Sequence, residues 1–178
     1  MGKKVLVLSA SPRKGGNSDL LCDQFILGVK EAGNQAEKIS LSEKKIGCCT
    51  GCESCFTTHK CIQKDDMTEI LEKMIAADVI VMATPVYFFT MSAQMKTLID
   101  RNAPRYEEIT EKEFYFIFTA ADNYKQNMER TLDGFRGFMK CLDGAKEKGV
   151  VYGVGAFHKG DIKGSAAMQQ AYEMGCHT

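Results

Sequence analysis

The chain has 178 residues, 44% of them hydrophobic, and its 23 Lys and Arg residues balance 23 Asp and Glu residues. A chain of this length buries roughly 70% of the surface of its unfolded state, so its core needs no disulfide bonds and its 8 cysteines must have another purpose. The zero net charge and the lack of long blocks of like charge disfavour nucleic-acid binding, and no apolar run is long enough for a membrane span.

Segments with strand-like spacing alternate along the chain with segments of helical spacing. Strands are predicted at residues 5–8, 35–41, 79–83, 114–118 and 150–154. Helices are predicted at residues 18–32, 66–75, 92–101, 128–142 and 165–174. Asp66 and Glu69 form the capping-box pattern at the start of the second helix. Five apolar strands that alternate with amphipathic helices predict an α/β fold with a doubly wound, five-stranded parallel sheet.

The same pattern predicts one domain spanning residues 1–178, with a cysteine-rich loop, residues 46–61, inserted between the second and third strands. The first apolar run, residues 5–8, is too short for the hydrophobic region of a signal peptide. We therefore expect a cytoplasmic protein without membrane association. In a reducing compartment, clustered cysteines usually serve metal or redox chemistry.

The loop after the first predicted strand, residues 9–18, ends where a helix begins. Free backbone N–H groups and the positive end of the helix dipole favour an anion at such a place. The side chains that would contribute are three short donors and one cation: Ser11, Asn17, Ser18 and Arg13. An ordinary helix cap explains the same residues equally well. The loop contains neither the dinucleotide fingerprint nor the ending of a P-loop, which disfavours nucleoside triphosphate hydrolysis.

A second loop, residues 84–90, follows the third strand and carries three aromatic side chains around Pro85. A planar heteroaromatic ligand would stack on these rings and accept hydrogen bonds from the loop. Alternatively, the rings lie under a helix or in a dimer contact. Because ligands bind at the carboxyl ends of parallel strands, the two loops together predict a ligand with a phosphate and a ring. The loop at residues 119–123 follows the fourth strand and lies where it would contact the other edge of the ring.

Several short motifs occur in a fixed order: Ser11-Pro12-Arg13, Gly16-Asn17-Ser18, Thr84-Pro85-Val86-Tyr87-Phe88, Ser92-Ala93-Gln94-Met95-Lys96 and Asp100-Arg101. Together they resemble the flavodoxin-like, NADPH-dependent FMN reductases over nearly the whole chain. The resemblance implies a three-layer α/β/α fold, FMN as cofactor, and NADH or NADPH as co-substrate. It places the FMN phosphate at Ser11, Arg13, Asn17 and Ser18. It places the isoalloxazine ring along Pro85, Val86, Tyr87 and Phe88, with Thr119 and Asp122 at its other edge. It also implies a homo-oligomer in which a second subunit covers the flavin.

Four cysteines form a C-x2-C-x2-C-x5-C run: Cys49, Cys52, Cys55 and Cys61. Cys48 directly precedes the first of them. This spacing suits iron-sulfur ligation of the ferredoxin type. Zinc sites usually combine two C-x2-C pairs from separate segments, and this run lacks that spacing. A zinc site and a loop of reduced thiols are the two alternatives to the cluster. The run resembles the iron-sulfur flavoproteins, a branch of the same family, in which these cysteines bind a [4Fe-4S] cluster near the flavin. Cys48 is an alternative to Cys49 as the first ligand.

The sequence thus predicts an FMN-dependent oxidoreductase that passes electrons from a reduced nicotinamide or a protein donor to a small-molecule or protein acceptor. The flavin carries the chemistry, and no side chain is predicted to be catalytic. One alternative is a non-catalytic electron carrier with FMN and a [4Fe-4S] cluster, and another is a zinc-stabilised binding domain. No arrangement of Ser, His and Asp or of paired carboxylates indicates a hydrolase.

Overall fold

The computed structural model describes residues 2–178. The strands in this range are β1 (Lys4–Ser9), β2 (Gln35–Ser40), β3 (Val79–Tyr87), β4 (Thr90–Met91), β5 (Glu113–Thr119) and β6 (Lys146–Gly153). The helices are α1 (Asn17–Glu31), α2 (Cys55–Thr58), α3 (Met67–Ala76), α4 (Ala93–Asp100), α5 (Glu129–Met139) and α6 (Ala166–Cys176). Among these residues no helix combines the length and the apolar character needed to cross a bilayer.

Five strands form a parallel sheet in the order β2-β1-β3-β5-β6, and β4 pairs antiparallel with the end of β3. The predicted doubly wound, flavodoxin-like sheet is therefore confirmed. The order of the strands reverses at β1, because β2 lies on one side of it and β3 on the other. A crevice forms where the loops after β1 and β3 diverge to opposite faces of the sheet.

Successive residues of each strand face opposite layers of the structure. In β1, Val5 and Val7 point into an apolar layer formed with α1 and α6, whereas Leu6 and Leu8 point into a second layer formed with α3, α4 and α5. In the second layer the ring centroids of Phe116 and Phe135 are 5.0 Å apart. Because both faces are apolar and covered, the polar groups of the sheet region are confined to its edges and loops.

The region predicted as a loop at residues 84–90 is a β-hairpin, and β3 continues to Tyr87. The last residue of β3 that pairs with β1 is Ala83. Beyond it, Pro85 has β5 as its neighbour, opposite Thr119. A strand with one neighbour tolerates the missing N–H of proline, which is why the proline does not end the strand.

The predicted capping box at the start of α3 is not formed. Asp66 has helical dihedral angles and makes no cap, and its carboxylate accepts the N–H of Lys45 at 2.6 Å. The N–H of Met67 instead donates to the Asp65 carboxylate at 3.1 Å. The aspartates therefore tie the start of α3 to the chain that enters the cysteine-rich loop, a long-range role that the local pattern does not reveal. Within that loop, the predicted irregular segment contains the short helix α2.

Helices α1 and α6 cross at two glycines. A methyl group at Gly28 would lie 2.1 Å from the carbonyl oxygen of Tyr172, and one at Gly175 would lie 2.1 Å from the carbonyl oxygen of Phe25. Both neighbours are backbone atoms, which cannot move without displacing a helix. The close contact of the two helices therefore requires glycine at both positions.

We predict that Gly28→Ala destabilises the protein by about 1–3 kcal/mol, because overpacking outweighs the better helix propensity of alanine. The matched control is Gly137→Ala in α5, where a methyl group would meet no atom within 4 Å. This control should stabilise the protein by about 0.5–1 kcal/mol. Urea denaturation followed by circular dichroism measures both changes. A stabilising effect of Gly28→Ala would show that the helices tolerate separation.

Candidate functional site

The loop between β1 and α1 leaves the start of α1 without a side-chain cap. Gly16 precedes the helix in an extended conformation and contributes no capping side chain. Ser11 stabilises the loop instead: its Oγ accepts the N–H of Arg13 at 3.2 Å and donates to the Arg13 carbonyl oxygen at 3.1 Å. The uncapped N–H groups of a helix start are a favourable place for an anion.

Asn17, the first residue of α1, holds the loop that follows β6. Its Nδ2 donates to the carbonyl oxygens of Ala156 at 3.1 Å and His158 at 2.8 Å, and its Oδ1 accepts the N–H of Gly160 at 2.9 Å. These bonds use both ends of the amide group. In this structure the Asn17 side chain therefore shapes a wall of the site through residues more than a hundred positions away.

Ser18 and Thr119 join the first and third loops of the site. Their hydroxyl oxygens are 2.6 Å apart, and both residues are buried. Arg13 is exposed and its Nη1 donates to the carbonyl oxygen of Phe157 at 3.1 Å. A cation and two hydroxyl groups thus border the start of α1.

The β3–β4 hairpin carries the aromatic side chains of the site. Phe88 and Phe89 form its tip with positive φ angles of 49° and 66°. Thr84 anchors the base, because its Oγ1 accepts the N–H of Ser92 at 3.0 Å. Phe88 is 98% exposed and Tyr87 is 44% exposed. The hairpin therefore presents flat apolar surface beside the loop between β1 and α1.

Eight of the ten residues predicted to contact the flavin line one cavity of about 150 Å³. They are Ser11, Arg13, Asn17, Ser18, Pro85, Val86, Tyr87 and Thr119. The other two, Phe88 and Asp122, do not line it. Phe88 projects from the tip of the hairpin. The Asp122 carboxylate accepts the N–H of Tyr124 and the side-chain amide of Asn127, and these bonds lower the pKa of Asp122 below its usual value.

Sequence reasoning missed the loop after β6, which contributes Ala156 and Phe157 to the cavity. The N–H of Gly155 donates to the carbonyl oxygen of Asp122 at 2.8 Å, so this loop is joined to the loop after β5. Its glycines at 155, 160 and 164 all have positive φ. A glycine-rich segment directly after the last strand was the available signal, because every parallel strand delivers its loop to the same edge.

The ends of the cysteine-rich loop meet at Arg101, which follows α4 and is 2% exposed. The Asp65 carboxylate makes a bidentate ion pair with Arg101, at 2.7 Å and 2.9 Å, and raises the pKa of the guanidinium. Burial raises the pKa of Asp65, but hydrogen bonds from Arg101 and from the N–H groups of Gly47 and Met67 bring it below its usual value. Both groups are therefore charged at neutral pH.

All four cysteines of the predicted metal site line a second cavity of about 80 Å³: Cys49, Cys52, Cys55 and Cys61. Arg101 also lines it. Cys48 does not, and its Sγ lies 3.7 Å from the Oγ1 of Thr97. Within residues 2–178, no three His, Cys, Asp or Glu side chains lie close enough together to hold one metal ion. The fold therefore brings all four cysteines to the lining of one cavity.

The two cavities have no lining residue in common, and the end of helix α4 lines the cysteine cavity. Ser92, directly before the helix, donates from its Oγ to the carbonyl oxygen of Ala10 at 3.3 Å, in the loop between β1 and α1. Arg101, directly after the helix, lines the cysteine cavity. Eight residues of α-helix span about 12 Å. A larger cavity of about 350 Å³ adjoins Cys61 and Arg101 on the side of α3.

A doubly wound sheet with an uncapped helix start and an aromatic hairpin at its switch point defines a flavodoxin-like class of protein. The sequence matches the family described as NADPH-dependent FMN reductase over residues 3–142, and the chain belongs to this family.

Individual relatives agree with this assignment. An iron-sulfur flavoprotein of Archaeoglobus fulgidus is 40% identical over 101 residues, which are 57% of this chain and 46% of that protein. The Bacillus subtilis protein YwqN, provisionally named an NAD(P)H-dependent FMN-containing oxidoreductase, is 29% identical over 168 residues, 89% of this chain and 88% of that one. The structure of an azoreductase from Bacillus anthracis has a TM-score of 0.76 at 17% identity and covers 99% of this chain and 100% of its own, which shows a shared fold. The chain spans about half the length of the curated iron-sulfur flavoproteins that it matches.

We predict that Asn17→Ala frees the loop after β6, because the amide is the acceptor for the N–H of Gly160 and the donor to two carbonyl groups. Leaving such groups unpaired costs about 1–3 kcal/mol each where they are buried. Hydrogen exchange read by mass spectrometry should be faster across residues 156–162 and unchanged in the central strands. Equal exchange of the loop in both proteins would mean that other contacts hold it.

Proposed function

We propose that the chain binds FMN in the cavity between the loops after β1, β3 and β5 and oxidises NADH or NADPH for an electron acceptor. The observation that supports this most directly is that eight predicted flavin contacts line one cavity in a member of the FMN reductase family. FMN would supply hydride transfer from the reduced nicotinamide and electron transfer to the acceptor. The residues of the chain then bind and orient the cofactor, and none has to act as an acid or base.

The phosphate end of the ligand is assigned to the start of α1. Its uncapped N–H groups supply donors, Ser11 and Ser18 supply hydroxyl groups, and Arg13 supplies positive charge. Thr119 fixes the position of Ser18 through the 2.6 Å contact of their oxygens. The Asn17 side chain keeps the opposite wall in place.

The ring end of the ligand is assigned to Pro85, Val86 and Tyr87. The cavity, at about 150 Å³, is smaller than the roughly 300–1,000 Å³ of pockets that enclose an organic ligand. It would therefore enclose part of FMN and leave the ring along the exposed face of the hairpin. The exposed Phe88 and Phe89 extend the same apolar surface. We assign this surface to contact with a second copy of the chain, which would cover the ring in a homo-oligomer.

The four cysteines of the 80 Å³ cavity are assigned as ligands of a [4Fe-4S] cluster, which supplies one-electron transfer when bound. Two features of the structure fit this group. The buried guanidinium of Arg101 lines the cavity, so a strong hydrogen-bond donor lies beside the cysteines. All four cysteines line one cavity, and their C-x2-C-x2-C spacing followed by a later cysteine suits the ligation of a cubane by a single loop.

The first test is the visible spectrum of protein purified without oxygen, read together with iron and acid-labile sulfide contents and with steady-state NAD(P)H oxidation. We expect flavin bands on a broad, reducible shoulder and about four irons per chain. Turnover of NADH or NADPH supports the reductase. Flavin and iron without turnover for any acceptor would favour an electron carrier, and colourless protein with stoichiometric zinc would contradict both cofactors.

Cysteine variants test the ligand assignment. Replacing Cys52 and Cys55 with Ala should remove the iron and leave the flavin bands, since the two cavities share no residue. Cys48→Ala and Cys141→Ala are matched controls, because neither cysteine lines the cavity, and both should keep the iron. Iron content unchanged by the double substitution would refute the assignment. Loss of iron in Cys48→Ala would show that Cys48, and not Cys49, is the first ligand.

Phe88→Asp tests the proposed second copy, because it places a charge at the fully exposed tip of the hairpin. Size-exclusion chromatography with light scattering should show an oligomer for the unaltered chain and a shift toward monomer for the variant. Leu27→Asp is the control, since Leu27 is a 45% exposed apolar residue on α1 and lines neither cavity. A monomer before any substitution would overturn the assignment of this surface.

A further inference from the structure

We propose that the buried guanidinium of Arg101 holds the cysteine loop closed and directs its free Nε–H toward the sulfur atoms of the site, so that it raises the reduction potential of the cluster. This inference rests on the proposed [4Fe-4S] site. It concerns a positioning residue, one that acts on the electron-transfer group without ligating it.

Arg101 joins the two ends of the cysteine loop. Its Nη1 donates to the carbonyl oxygen of Gly47 at 2.6 Å, on the amino-terminal side of the four cysteines. The same atom donates to Gln63 Oε1 at 3.2 Å and to Asp65 at 2.7 Å, both on the carboxyl-terminal side. One side chain thus fixes the distance between the points where the loop begins and ends.

Three more hydrogen bonds reinforce this closure. The N–H of Gly47 donates to the Asp65 carboxylate at 3.0 Å, and the Gln63 side-chain amide donates to the carbonyl oxygen of Cys48 at 2.9 Å. The N–H of Asp66, after the loop, donates to the carbonyl oxygen of Lys45, before the loop, at 3.0 Å. Together with Arg101, these bonds hold the two ends of the cysteine loop against each other.

The Nε of Arg101 is buried and has no hydrogen-bond partner among the described residues. Arg101 lines the cysteine cavity, and it lines the neighbouring 350 Å³ cavity together with Cys61. Cys61 is also close enough to the guanidinium to contribute to its raised pKa. A buried donor without an acceptor is unfavourable, and a thiolate or cluster sulfur at this place would satisfy it.

The consequence for redox chemistry follows from the Nε–H donor, because the Asp65 carboxylate already pairs with the charge of the guanidinium. Reduction of a cluster adds one negative charge, which an N–H···S hydrogen bond stabilises. The ion pair with Asp65 holds the guanidinium in place but leaves its Nε–H available for the cavity. Lysine cannot replace this arrangement, because its single nitrogen cannot contact Gly47, Asp65 and the cavity in the planar geometry of arginine.

The test compares Arg101→Lys with the unaltered holoprotein and with a matched control, Arg105→Lys. Arg105 is a neighbouring arginine paired with Glu72 and Glu108, and it does not line the cysteine cavity. Redox titrations followed by visible absorption and electron paramagnetic resonance measure the midpoint potentials of the cluster and the flavin separately. We expect a negative shift of the cluster potential in Arg101→Lys, and no shift of the flavin potential or in the control.

Each result decides the inference. Loss of iron in Arg101→Lys with iron retained in Arg105→Lys supports the closing role, and unchanged iron with unchanged cluster potential overturns the proposal. If Arg101→Lys does not fold, Arg101→Gln combined with Asp65→Asn removes both charges without leaving a buried carboxylate unpaired, and the same comparison applies.

If the unaltered chain contains no cluster, the proposed cofactor and the redox role fail together. Hydrogen exchange across residues 46–64 then decides the closing role: faster exchange in Arg101→Lys supports it, and equal exchange rejects it.

Discussion

Burial of both faces of the parallel sheet is the constraint on which the other features depend. Because Val5, Leu6, Val7 and Leu8 of β1 alternate between two apolar layers, the buried polar side chains of the central strands lie toward their carboxyl ends. The loops that leave the carboxyl ends of β1, β3, β5 and β6 therefore carry the polar side chains, and the parallel arrangement brings these loops to one edge. The candidate flavin cavity is the consequence of this geometry as much as of any individual residue.

The cysteine-rich loop obeys a different constraint, since it has almost no apolar core of its own. Most of its residues between 47 and 61 are exposed. Its shape depends on the polar contacts at its base, with the Arg101–Asp65 ion pair at the centre. A buried ion pair is costly to break from one side, because the remaining charge loses its partner. The contacts that hold the loop are therefore concentrated where it joins the fold.

The strands and helices could be predicted from the sequence because their signals are local. The periodicity of residues 5–8, 79–83 and 114–118 indicates buried strands without reference to any other part of the chain. The role of Asn17 could not be predicted in this way, because its partners lie 139 to 145 residues further along. Asp66 illustrates the opposite error: a correct local pattern for a helix cap is overridden by the N–H of Lys45, which needs an acceptor.

The predicted site residues also fall into two groups, those whose position follows from local sequence and those whose position depends on the folded loop. Residues that line the cavity directly, such as Pro85 and Thr119, were found because the motif and the end of a strand coincide. Phe88 and Asp122 belong to the same loops, but the turn of the hairpin and the bonds to Tyr124 direct them elsewhere. Sequence indicates which loop reaches the site. The direction of each side chain depends on dihedral angles that only the folded loop fixes.

At the tip of the hairpin, the aromatic side chains are gained at a cost in backbone strain. Positive φ angles at bulky residues such as Phe88 and Phe89 each cost roughly 1–3 kcal/mol. The pairing of Tyr87 with Thr90 and the hydrogen bond from the Thr131 hydroxyl to the Phe89 carbonyl oxygen, at 3.4 Å, hold the turn in this conformation. Asparagine and glycine would relax this backbone, as they do in most two-residue hairpins, but they would remove the rings. Selection for thermal stability alone would therefore be expected to erode the aromatic surface beside the cavity.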